Sequence, residues 1–289
     1  MRSVGLDLGS RKIAYCEVAG EQVVERGMVT GLEGLQRWLG PTTEPARVAI
    51  EACREAWVVH DKLSEWGHQV LLVDTTRSKR LGIGQHGRKN DRIDAEVIAR
   101  AVERGGIPAA HVLSPARREL REHLSIRRTL VETRAQYVMT IRGMIRGRHA
   151  KQVVGTCRTK DFVAKLHETA LGEPTRELVA PLVAALEVVE EQLRVVDQKV
   201  EQLCAREPVV LLLSTAPGVG RIVAAAYVSV IDDAERFDKA HQVGAYLGLA
   251  PSEDSTGGNR RIGGITKKGN AYMRALLIEA AHSILRLKD

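Results

Sequence analysis

Between Val179 and Leu203 the apolar residues Val179, Leu182, Leu186, Val189, Leu193, Val196, Val200 and Leu203 follow one another at spacings of 3, 4, 3, 4, 3, 4 and 3. A seam this regular has one physical solution, a long helix whose apolar stripe is covered by another helix. The cover is either an antiparallel helix of the same chain or the same helix in a second copy. Pro115 can open such a partner, running to about Arg148. Arg127 and Arg134 interrupt its equivalent line. The polar stretch between the two helices, about 149–174, reads as a loop, and no strand signal stands out between 115 and 206.

The segments on either side have other periods. Val4–Leu8, Ile13–Val18 and Gln22–Val29 read as strands, Arg47–Ile50 and Val70–Val73 as short buried strands. Leu32–Leu39, Trp57–Trp66 and Asp91–Val102 have helical spacing. Antiparallel strands followed by strand–helix alternation predict an α/β domain with a mixed sheet. After the helical middle, Val209–Leu213 reads as a buried apolar run, Ile222–Ile231 and His241–Leu247 as helices, Pro251–Gly264 as a glycine-rich loop and Asn270–Leu287 as a last helix. The expected division is therefore 1–110, 111–206 and 207–289.

Charge is distributed in blocks. Residues 75–160 hold 20 basic and 7 acidic side chains, a net of +13, and residues 258–289 hold 7 and 2, a net of +5. Residues 1–74 and 161–257 are net acidic. Cationic blocks of this size point to a polyanion partner. Aromatic residues are only 3%, so contacts to phosphates rather than base stacking should carry binding. No apolar run approaches the roughly 20 residues that span a bilayer, and no signal region precedes Val4, so neither membrane insertion nor secretion is expected. The scattered cysteines (Cys16, Cys53, Cys157 and Cys204) suit neither a disulfide framework nor a zinc site and fit a reducing cytoplasm.

Four carboxylates carry the chemistry. Asp7 interrupts an apolar strand, where an uncompensated charge is costly. Glu51 ends another. Asp91 and Asp94 lie three apart and share a helix face. If all four converge at a sheet edge, they repel one another unless divalent cations neutralise them. Magnesium takes such oxygen ligands and leaves positions for water and phosphate, and two ions about 4 Å apart would support phosphoryl transfer. Singly, each residue has an ordinary reading: Asp91 can cap its helix, and Asp94 can pair with Arg88 or Lys89. The order strand-Asp, strand-Glu, helix D-x-x-D is the more specific signal.

Two further stretches stand out. Ala216-Pro217-Gly218-Val219-Gly220 between apolar segments looks like a helix-hairpin-helix turn, in which the backbone at Gly218 and Gly220 could hold a DNA phosphate; an ordinary tight turn fits as well. The loop Ser252–Gly258 places hydroxyls beside glycines and is followed by Arg260, Arg261, Lys267 and Lys268. A hydroxyl among fixed cations can be a nucleophile, and a solvated loop is the alternative. No histidine lies close in sequence, so a Ser-His-Asp arrangement is not indicated.

Taken together, G-L-D-L-G at 5–9, I-E-A at 50–52 and K-N-D-R-I-D-A at 89–95 resemble the first half of the DEDD transposases of the insertion-sequence-110 family. A-P-G-V-G at 216–220, G-L-A-P at 248–251, S-T-G-G at 255–258 and G-G-I-T-K-K-G-N-A at 263–271 resemble its second half, in the right order. The resemblance implies a RuvC-like domain of RNase H fold with Asp7, Glu51, Asp91 and Asp94 binding Mg2+. It further implies a central helical coiled coil and a mainly α C-terminal transposase domain with a catalytic serine. Ser255 matches best, with Thr256 beside it and Ser252 a lesser candidate. It implies a recombinase that cuts and rejoins donor and target DNA, joins the serine covalently to a phosphate, and works with a structured bridge RNA. The partners it implies are that RNA, DNA, and copies of the chain in a homodimer or homotetramer, in the cytoplasm or nucleoid of a bacterium or archaeon. The related Piv-type invertases share the architecture.

The basic block, with Arg88, Lys89, Arg127 and Arg128, would then hold nucleic-acid backbone. Two departures stand out: Ala52-Cys53-Arg54 follows Glu51 where the family often has a small residue and glycine, and the family leads one to expect another helix or more after Leu287. The competing reading is a RuvC-like, structure-selective nuclease that uses only the carboxylates. A non-catalytic nucleic-acid-binding remnant is a third. G-L-D-L-G-S also resembles a phosphate loop of actin-like kinases, but no second phosphate or adenosine motif accompanies it.

Overall fold

A computed structural model describes residues 2–41, 44–74, 91–148, 161–253 and 261–286. The chain divides into two compact units, Met1–Val112 and Leu113–Asp289.

The first unit is built on a mixed sheet. Strands β1 (Arg2–Leu8), β2 (Lys12–Ala19) and β3 (Gln22–Thr30) form an antiparallel meander; β4 (Ala46–Glu51) and β5 (Gln69–Val73) extend it in parallel. The short β6 (Ala109–Ala110), which has no clear pattern in the sequence, closes the far edge, giving the order β3-β2-β1-β4-β5-β6. Helices α1 (Gly31–Leu39) and α2 (Ala56–Glu65) cover one face. Val4, Leu6, Val48 and Ile50 point there and pack with Leu35, Val59 and Leu63. Helix α3 (Asp91–Glu103) covers the other face, where small residues prevail: Ala14, Cys16 and Ala49 meet Ala95, Ala99, Ile98 and Val102. Gly5 lies at the crossing. A Cβ there would stand 2.5 Å from the Ala99 nitrogen and closer still to the Ala95 carbonyl oxygen. Only glycine lets β1 approach the helix backbone this closely.

The second unit is helical. Helix α4 (Pro115–Arg148) and helix α6 (Glu173–Ala205) lie antiparallel, as Glu119–Lys199, Arg127–Asp197 and Arg134–Glu190 ion pairs require. Part of the heptad seam is thus covered within the chain. Apolar packing concentrates at the two ends of this pair: Leu120 and Leu124 with Val200 and Cys204 at one, Val138, Ile141 and Ile145 with Val179 and Leu186 at the other. Arg127 and Arg134, which break the seam, fall between these clusters and turn inward to acids of α6. Within the stretch expected as a loop, α5 (Phe162–Glu168) forms and buries Phe162.

After α6 comes α7 (Pro208–Leu213). The expected buried run is a short helix instead, burying Val210 while Val209, Leu211 and Leu212 are exposed. Its alternation of buried and exposed positions follows a helix, and one face suffices to cover α8 (Arg221–Ile231). Helix α9 (Ala240–Tyr246), the two-stranded pair β7 (Pro251–Glu253) and β8 (Ile262–Ile265), and helix α10 (Ala271–Arg286) complete the unit. β7 and β8 lie at the two ends of the stretch expected as a loop, and residues 254–260 between them lie outside the described residues.

Candidate active site

The parallel register of β1 and β4 pairs Gly5 with Ala49 and Leu6 with Ile50. One residue further on, Asp7 and Glu51 stand side by side at the C-terminal ends of the two strands. Side chains alternate along a strand, so Asp7 and Glu51 leave the same face as Gly5 and Ala49, the face under α3. The helix direction follows from its other end. Arg100 donates to the Glu21 carbonyl at 2.7 Å, and the Glu21 amide donates to Glu103 at 3.1 Å. The C-terminal half of α3 therefore lies by the β2–β3 turn, beyond the start of β1. Its first turns, with Asp91 and Asp94, lie toward the ends of β1 and β4.

Asp94 is buried (8% exposed), and Asp7 and Glu51 are half-buried. The side chain of Asp91 lies outside the described residues. Among the described residues no three His, Cys, Asp or Glu side chains are close enough to form a metal site by themselves. The donor chemistry nonetheless suits a hard divalent cation: oxygen ligands only, on one face of one sheet edge. Cys16 lies on that face too. Burial, then the Glu96 carboxylate, pushes its thiol up to about 11.

The second unit carries the other candidates. Ser255, Thr256 and Arg260 lie outside the described residues, as do Arg88 and Lys89. The ends of the Ser255 segment are fixed: β7 pairs with β8, and Ser252 donates its hydroxyl to the Gly264 carbonyl at 3.0 Å. Ser252 is thus engaged in holding the hairpin. Below it the two signature stretches cross. A Cβ on Gly248 would stand 2.5 Å from the Lys268 nitrogen, and one on Gly269 would strike the Tyr246 carbonyl; both glycines have positive φ. Arg274 donates to the carbonyls of Leu247 (3.1 Å) and Lys268 (2.7 Å), and Asn270 caps α10 through the Met273 amide. Arg274 was not singled out by the sequence; its place one turn into a helix after K-K-G-N was the available signal. Arg261, Lys267 and Lys268 are exposed beside the hairpin.

Gly218 has φ +74° and packs its turn against α10, where a Cβ would meet the Ala280 carbonyl at 2.6 Å; Gly220 stands before α8 in open space. The turn does join two helices, as the hairpin reading expects. Arg127 and Arg128 are both committed within the unit: Arg127 to Asp197 at 2.5 Å, Arg128 to Glu132 at 2.7 Å and over the Tyr272 ring at 5.0 Å.

Two family models match the chain. One, described as a transposase and belonging to the DEDD group of the IS110 type, matches residues 4–149. The other, described as the transposase IS116/IS110/IS902 family, matches residues 210–289. The chain belongs to the IS110/IS116 transposase family. A probable family 20 transposase of Pseudomonas aeruginosa is 30% identical over 249 residues, covering 84% of this chain and 72% of the relative. The transposase for insertion sequence element IS1328 of Yersinia enterocolitica is 26% identical over 283 residues, covering 96% and 82%. The transposase for IS1111A of Coxiella burnetii is 29% identical over 208 residues, covering 68% and 55%. The IS110 matches flank α6, so both the carboxylate sheet and the Ser255 hairpin fall within family-matched segments. No helix among the described residues is long and apolar enough to cross a membrane.

Proposed function

We propose that this IS110-family chain is a DNA recombinase of a mobile element, with Asp7, Glu51, Asp91 and Asp94 as its magnesium-binding set and Ser255 as its nucleophile. One observation carries the reading: Asp7 and Glu51 end neighbouring parallel strands beneath the N-terminal half of the helix that bears Asp91 and Asp94. That is the sheet-edge arrangement expected of a RuvC-like domain. Carboxylates gathered there gain from a counter-charge, and a backbone phosphate brought to the edge needs one too. A divalent cation bound at the edge would supply that charge and polarise the phosphate.

In this reading the hydroxyl oxygen of Ser255 bonds to phosphorus while a deoxyribose oxygen leaves with a proton. The reverse step rejoins a new strand. Arg261, Lys267 and Lys268 offset the charge that develops on the phosphate. The exposed cations of α4 and the basic stretch at 75–90 would hold backbone. Sequence choice would rest on a structured guide RNA, as the family resemblance implies, so few base-reading side chains would be needed. Exposed apolar residues of α4 and α6, including Ile126, Met139, Val188 and Val195, suit pairing between copies.

The test is cleavage of donor DNA in the presence of the RNA from the same locus, with and without magnesium. Asp7→Asn, Glu51→Gln and Asp94→Asn should each abolish cutting while leaving DNA binding in place. Cutting that survives all three changes would sink the carboxylate site.

A further inference from the structure

On the opposite face of the sheet from Asp7 and Glu51, at the same strand ends, the first unit holds an open cleft of about 360 Å3. Leu8 and Ile13 form its floor, Leu32 and Val59 its walls, and Val58 its lip. The interior is largely apolar. Two guanidiniums, Arg11 and Arg54, stand at the rim and are exposed; among the described residues neither makes an ion pair. Arg11 lies within the tight turn that the Gly9 amide closes by donating to the Lys12 carbonyl at 3.0 Å. Arg54 lies three residues beyond Glu51.

The volume is at the small end of ligand sites, about 300–1,000 Å3. An apolar slot with cations only at its mouth suits a flat, weakly polar body carrying one anionic group. A nucleotide has that form: the base enters and the phosphate stays outside. Glu55 also lies on the rim and opposes a second anionic group, so a di- or triphosphate is disfavoured. The location decides the source. Asp7 and Leu8 are consecutive, their side chains leaving opposite faces of one strand end. A DNA strand whose phosphate reached Asp7 would lie at the strand end whose next residue, Leu8, lines the cleft.

We propose that the cleft takes one unstacked nucleotide of the DNA strand lying along the carboxylate edge, its base against Leu8, Ile13 and Val59 and its phosphate between Arg11 and Arg54. Removing a base from the stack would hold the neighbouring linkage in an extended form at the cutting edge. The inference rests on the recombinase reading above for its substrate, but not for its test.

The probe is the 5′-monophosphate of 2-aminopurine deoxyriboside, titrated into the full chain without magnesium and read by its fluorescence. Saturable binding is expected. Arg11→Ala and Arg54→Ala should each weaken it about tenfold. Val58 is 56% exposed, so Val58→Trp can fill the mouth without entering the core, and it should abolish binding. Circular dichroism checks that each variant is folded. No saturable binding, binding indifferent to Val58→Trp, equal displacement by inorganic phosphate, or tighter binding of the triphosphate would each overturn the proposal. Cleavage is not read here. A failed titration therefore speaks against the cleft alone, and failed cutting with the cleft binding intact speaks against the recombinase reading alone.

Discussion

Gly5→Ala tests the contact on which the carboxylate edge depends. The added methyl would stand 2.5 Å from the Ala99 nitrogen, against an ordinary contact of 3.4 Å or more. The shortfall is about 0.9 Å there and larger at the Ala95 carbonyl. Both atoms are helix backbone, so no rotamer change can relieve it and α3 must lift. Overpacking of this kind costs about 3 kcal/mol or more. In a unit of this size that lowers Tm by roughly 10 °C. Asp94 is the neighbour of Ala95 and moves with it. A displacement near 1 Å in a reacting constellation costs about 100-fold in rate. The assay is paired: thermal unfolding by circular dichroism, and magnesium-dependent DNA cutting below the lowered Tm. Gly143→Ala is the control, because its Cβ meets open space on α4 and should stabilise by up to about 1 kcal/mol. Wild-type stability and wild-type cutting in Gly5→Ala would refute the packing of α3 on β1 and the geometry built on it.

Three other outcomes follow from the same structure. Arg134 and Glu190 are mostly buried between the two apolar ends of the α4–α6 pair; Arg134→Ala should destabilise by about 1–2 kcal/mol, and a double-mutant cycle with Glu190→Gln in chemical denaturation should return a coupling near 1 kcal/mol. The folded chain holds the Cys16 proton up to about 11, while an unfolded thiol releases it near 9.0, so stability is lost as pH rises from 9 to 11. Burial raises the Cys204 and Cys53 thiols as well, so the loss in Cys16→Ala should be smaller than in the wild type by about 2–3 kcal/mol rather than absent. If Lys267 and Lys268 neutralise phosphates, changing each to Gln should reduce the slope of log affinity against log salt by about 1; unchanged slopes would remove them from the interface.

Much of the first unit was legible because its periods are local. Val4, Leu6 and Leu8 alternate with Gly5 and Asp7, and this alone assigns Asp7 to the face opposite the aliphatic core. The D-x-x-D helix was legible for the same reason. That α3 runs back toward the β2–β3 turn was not, because it depends on Arg100 and Glu103 reaching Glu21 across the fold. β6 was missed since two alanines carry no pattern. In the second unit, Val209–Leu213 misled because five apolar residues in a row look buried; as one and a half turns of helix they can bury only one side. Phe162 gave too little signal within a polar stretch to announce α5. The seam of α6 was clear, but its partner was not, because Arg127 and Arg134 look like breaks in sequence and only the fold shows them pairing across to Asp197 and Glu190 of α6. The loop reading of 251–264 missed β7 and β8 because three- and four-residue strands with glycines have no alternation to read.

If the carboxylate edge and Ser255 act together on one DNA strand, the reaction must pass through a protein–DNA covalent bond. The full chain, magnesium, the RNA from its locus and paired donor and target DNA should yield DNA covalently attached to protein. That adduct, resolved by denaturing electrophoresis and mapped by mass spectrometry, should sit on Ser255 and vanish in Ser255→Ala. Hydrolysis that proceeds equally well in Ser255→Ala, with no adduct at any stage, would contradict the account and leave a nuclease that works through its carboxylates alone.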